Sequence, residues 1–184
     1  MENDELKKYI NDCNRNLSPS LPALYEASFF KIFVKFEVYL AYIFEEYSVG
    51  NSSSLGYCPH RKLAFVDKEH LRAVLRGDKQ YVEYIKKIQT LSKHIFIDNP
   101  FNIIFDVADN LTIMNQMIAL RNYIAHESGE ARLKYINMCL GGGAFVEPSV
   151  FLCKKNRRNS KTNYAIYIEK IIELSDLILD VPMV

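Results

Sequence analysis

One long run of bulky apolar residues at helical spacing constrains this chain most. Between Ala23 and Tyr47, Phe29, Phe33, Phe36, Leu40, Ile43 and Tyr47 recur at steps of three and four, which lines them up on one stripe of a helix about seven turns long. An aromatic stripe of that length needs partners along all of it, so the run predicts the central helix of a bundle. Its most apolar part, Phe29 to Phe44, is interrupted by Lys31, Lys35 and Glu37 and is shorter than the ~20 residues that cross a bilayer, so no membrane segment is expected.

The remaining segments read as further helices with little strand. A short polar helix is predicted from Glu2 to Asn14, stopped by the turn Ser18-Pro19-Ser20-Leu21-Pro22. Gly50 to Arg61 is rich in Ser and Gly and reads as a loop. Asp67 caps Lys68 to Leu75, Asp78 caps Lys79 to Phe96, and Asn99-Pro100 breaks the chain before the short segment Phe101 to Val107. The next helix is predicted from Asn110, its cap, to Glu127, with Gly129 as the stop and Ile113, Met117, Leu120 and Ile124 as its apolar stripe. Glu130 to Met138 follows and ends at Gly141-Gly142-Gly143. Val146 to Cys153 is predicted irregular or a short strand, and Asn163 caps a last helix, Tyr164 to Asp180. There is no internal repeat and no second core. The expectation is an all-α fold, residues 1–184 forming a single helical bundle domain, long enough at 184 residues and 49% apolar content to bury a core without disulfides or metals.

Chemistry concentrates in Arg121-Asn122-Tyr123-Ile124-Ala125-His126. A permanent cation, an amide and an imidazole stand within one and a half helical turns, and these are the groups needed to cut RNA without a metal. Asn122 and His126, four apart, share a face, so the amide is expected to hydrogen-bond the imidazole and orient it. Arg121 lies about 140° from His126 around the axis, yet its long side chain can reach the same phosphate. The structural alternative is that Arg121 pairs with Glu127 or Glu130 while His126 is merely a polar helix end.

Leu120 to Glu127 resembles the motif of the HEPN superfamily, helical bundles marked by Arg, four to six residues, then His, often with a polar residue after the Arg. The aromatic helix upstream is a softer likeness. The resemblance implies a metal-independent endoribonuclease, a toxin or defence effector, with Arg121, Asn122 and His126 as its site residues and RNA as its substrate. It implies a homodimer too, because HEPN active sites form across a two-fold pair of motif helices and each chain supplies one motif His. A non-catalytic HEPN dimerisation or binding module, partnering an antitoxin or nucleotidyltransferase, is the alternative. Some HEPN toxins carry a modifiable Tyr two residues after the His. Ser128 stands there in this chain, which argues against control by that route.

Other features carry less. Lys154, Lys155, Arg157, Arg158 and Lys161 make a local phosphate-binding run possible despite a net charge of only +1, though a solvated loop is the plainer reading. The four cysteines form no Cys-x-x-Cys pair and no signal peptide is evident, so a reducing cytoplasm is expected. Cys58, His60 and His70 lack zinc-ligand spacing, and no metal or cofactor is expected. Gly141 to Gly143 has no following Lys-Ser or Lys-Thr and is not a nucleotide loop. The 12 Tyr at helical spacing read as core residues with hydroxyls at its rim.

Overall fold

Helical spacing in the chain is realised almost throughout. The computed structural model describes residues 1–18, 21–77, 84–156 and 160–180, and among these it contains nine helices and no sheet. They are α1 (Asn3–Arg15), α2 (Pro22–Val49), α3 (Lys68–Arg76), α4 (Tyr84–Ile95), α5 (Asn102–Phe105), α6 (Ala108–His126), α7 (Gly129–Leu140), α8 (Pro148–Cys153) and α9 (Asn163–Leu177). Isolated bridges join Arg61 to Phe96 and Lys155 to Thr162. Among the described residues no helix is long and apolar enough to cross a membrane.

α2 is the axis of the bundle, and α1, α3, α4, α6, α8 and α9 all pack on it. Its six predicted stripe residues are all buried, as are Ile32, Tyr39 and Phe44, so the helix is enclosed well beyond one face. Phe29, Phe33, Phe36 and Tyr39 form a run of ring contacts, and Phe44 and Tyr47 meet Phe101 farther along. Each such ring contributes on the order of 2 kcal/mol by leaving water. The buried hydroxyls are satisfied at the same time. Tyr39 donates to the Ser175 carbonyl and Tyr47 to the Ile178 carbonyl, both at 2.7 Å, which ties α9 to the axis.

The ends of α2 follow from local chemistry. Pro22 occupies the first turn, where its missing N–H costs nothing. Gly50 ends the helix at φ 94°, and the Arg61 guanidinium fills the space beside it, donating to the Ser48 carbonyl at 3.0 Å. A side chain at position 50 would displace that cap.

Four local expectations are corrected. α6 begins at Ala108, before Asn110, and Asn110 is a buried tertiary anchor: its amide donates to the Ile103 carbonyl at 2.7 Å and accepts from Lys170 at 3.2 Å. Gly129 does not stop α6; Glu127 does, in the left-handed region at φ 47°, and Gly129 opens α7 behind the Ser128 cap. Thr162, not Asn163, caps α9, while Asn163 donates to the Phe151 carbonyl. Val146 to Cys153 is neither irregular throughout nor a strand, because Pro148 starts a short helix whose Phe151 and Leu152 are buried. Six residues are too few to display a period. Asp67 caps α3 as expected, through the His70 amide. The proposed cap at Asp78 lies outside the described residues, where α4 is seen from Tyr84.

Candidate functional site

The motif helix is positioned by packing on two sides. Met114, Met117 and Leu120 of α6 are fully buried in the core, which turns Arg121 and Asn122 half out of it and leaves His126 exposed as the last helical residue. Ile113 and Ile124, expected in the stripe, are only half-buried. The final turn is braced by α7. Tyr123 stacks on Tyr135 with centroids 5.3 Å apart and planes within 2°, Phe145 meets both rings edge-on, and Arg132 covers Phe145 at 4.2 Å. Glu127 then turns the chain sharply into Ser128, whose hydroxyl accepts from the Ala131 amide.

Arg121 pairs with neither Glu127 nor Glu130. Its Nη2 donates to Oε2 of Glu37 on α2 at 2.8 Å, and its Nη1 donates to Oδ1 of Asn122 at 2.9 Å. Nε is buried without a partner. Glu130 is held by Lys134 at 2.7 Å instead. Asn122 therefore serves the guanidinium, and the expected hydrogen bond to the imidazole is replaced: among the described residues His126 makes none. Burial pushes the Glu37 carboxyl up, against the pull of Arg121.

Arg121, Asn122 and His126 all line one groove of about 1180 Å³ between α2, α4 and α6. Glu37 is in the same wall, and farther along are Glu45 and Arg72. Arg72 grips Glu45 bidentately, Nε to Oε1 at 2.7 Å and Nη2 to Oε2 at 2.6 Å, and the Tyr84 hydroxyl donates to the same carboxylate. Burial opposes ionisation of Glu45, but those hydrogen bonds and the nearby cations outweigh it and hold the carboxyl below its ordinary range. Glu46 behaves alike, with Lys68 and Asn51 as its donors. The groove thus carries a cation, amides and an exposed imidazole, a set suited to binding a phosphodiester and moving protons on it.

Of the basic run, Lys154 and Lys155 are exposed just after α8 and do not line this groove. Lys161 is held by Glu169 at 2.6 Å. Arg157 and Arg158 lie outside the described residues. The four cysteines are free, and desolvation pushes the thiol of the half-buried Cys139 up to about 12. Among the described residues no three His, Cys, Asp or Glu gather as a metal site would require.

Glu37, Glu45 and Arg72 were not singled out as site residues from the sequence. The available signal was the interruption: a carboxylate in the middle of an aromatic, otherwise apolar helix has to find a cation once that helix is buried. No family model, curated protein or solved structure matches this chain.

Proposed function

We propose that the protein is a metal-independent endoribonuclease of HEPN type, a toxin or defence effector acting on RNA in the cytoplasm. The observation that carries the reading is that Arg121, Asn122 and His126 share one groove in which the guanidinium is held but not saturated. Two of its five N–H groups are used and Nε is buried, so the second N–H of each Nη is what remains for phosphate oxygens.

In the proposed reaction the 2′-hydroxyl attacks the adjacent phosphorus, its proton passes to a base, and the 5′ oxygen leaves with a proton from an acid. The products are a 2′,3′-cyclic phosphate and a 5′-hydroxyl. Arg121 balances charge on the crowded phosphate. One chain offers one motif imidazole, so base and acid are the two His126 side chains of a two-fold dimer whose motif helices adjoin. Exposure of His126 at the end of α6 leaves it accessible to such a partner copy.

Incubating purified protein with end-labelled RNA in excess chelator tests the reading. Cleavage with cyclic-phosphate ends supports it; intact RNA at high protein concentration overturns it. A second reading has its own observation. Because Glu37 already neutralises Arg121, the motif can serve as a packing element of a non-catalytic dimerisation module with an antitoxin or transferase partner. A dimer that binds but never cuts RNA would select that reading.

A further inference from the structure

Glu37 does something that stability alone does not explain. It projects from α2 where Val34, Val38 and Ala41 make up the neighbouring groove wall, so an apolar side chain would fit the surroundings. A carboxylate there carries a desolvation cost and returns one hydrogen bond, to Nη2 of Arg121, at 2.8 Å. Asn122 takes Nη1 at 2.9 Å. These two contacts come from different helices and fix the plane of the guanidinium, which a long Arg side chain would otherwise sample in several rotamers. The buried Nε has no partner, so Glu37 does not take the Nε–Nη2 edge bidentately as a purely structural partner would.

We infer that Glu37 is a positioning residue for the phosphate-binding Arg121, holding its guanidinium in the cleavage geometry while its own negative charge weakens RNA binding. The inference rests on the ribonuclease reading and adds the residue that tunes it. Hydrogen bonding and charge act here in opposite directions. The bond orients the cation and raises turnover; the charge repels the substrate phosphate and lowers affinity.

Glu37→Gln separates the two, because the amide oxygen still accepts from Nη2 but the charge is gone. Glu37→Ala removes both. Turnover of labelled RNA and the Kd of a 2′-deoxy oligonucleotide that cannot be cut are measured for the full chain, with circular dichroism melts as the check on folding. Glu37→Ala should lower kcat about tenfold or more, the loss that follows from misplacing a reacting group. Glu37→Gln should keep kcat within about threefold of the parent while both variants bind the oligonucleotide about threefold tighter, with a steeper salt dependence. The inference is overturned if kcat survives in Glu37→Ala, if Gln fails to rescue what Ala loses, or if kcat and affinity fall together with the folded fraction. A parent protein that binds but does not cut sinks the ribonuclease reading and with it the orienting role of Glu37, and an unchanged Kd in both variants sinks the charge effect as well. If the parent neither binds nor cuts, both fall.

Discussion

Two carboxylate–arginine pairs hang from α2 eight residues apart and face the same groove, yet they are built differently. Glu45 is nearly enclosed, its side chain 7% exposed, and Arg72 meets it with Nε and Nη2 together while Tyr84 adds a third donor. Glu37 and Arg121 are each about a quarter exposed and share one hydrogen bond. Glu45, with three donors, has its carboxyl driven down; Glu37, with one, has its carboxyl driven up. Arg72 is clamped by one edge to a single carboxylate, as a strut between α3 and α2 is. Arg121 is held between a carboxylate on α2 and the amide beside it on α6, on the groove wall that also carries the exposed His126.

The sharpest way to break this contrast is activity. Arg121→Ala and His126→Ala should each reduce RNA cleavage by about a hundredfold or more, as loss of a charge-stabilising or proton-transferring group does, while the fold and the proposed dimer persist. Arg72→Ala, in the same groove, should stay within about tenfold of the parent in the same end-labelled assay. Equal losses at Arg72 and Arg121 would erase the distinction.

Stability should rank the pairs the other way. Removing Arg72 leaves a buried carboxylate short of its main partner and should cost about 2 kcal/mol in a urea titration, a value reduced for the half-exposed arginine. Glu37→Gln should change stability by less than about 1 kcal/mol, since burial already disfavours its charged form.

The pH dependence sharpens the same contrast by sign. Glu45 and Glu46 have folded values below the unfolded one of about 4.3. Their stabilisation is present above that pH and is lost as pH falls through the folded values. Glu37, raised, contributes in the opposite sense: its share is full in acid and disappears as pH rises through its folded value. Glu45→Gln should therefore flatten the acid side of the stability profile, and Glu37→Gln should not. Chemical denaturation at stepped pH measures both.

Smaller effects test the surroundings. Glu127→Gly removes a side chain from a left-handed residue at the end of the motif helix and should stabilise by up to about 1 kcal/mol in thermal melts. Replacing Lys154, Lys155, Arg157 and Arg158 together should weaken RNA binding severalfold at most and flatten its salt dependence, with kcat intact. A loss of kcat there would move the site toward α8.

The sequence by itself determined the all-helical fold, the central place of α2 and the grouping of Arg121, Asn122 and His126 on one helix end, because a 3.6-residue period and apolar side chains act locally and along the whole run. It left the boundaries loose where one side chain had two roles on offer: Asn110 reads as a cap until its amide is seen bound to Ile103 and Lys170, and Gly129 reads as a stop until Ser128 is seen capping the next helix. What only the tertiary structure decided is the identity of the partners. Arg121 had carboxylates nearby in sequence, Glu127 and Glu130, and took Glu37, 84 residues away, because antiparallel packing of α6 on α2 brings that carboxylate to 2.8 Å in a half-buried wall while the nearer two stand exposed beyond the helix end. Packing makes the choice against desolvation: burial still holds the Glu37 carboxyl up, so the pairing with Arg121 offsets only part of the cost of burying it.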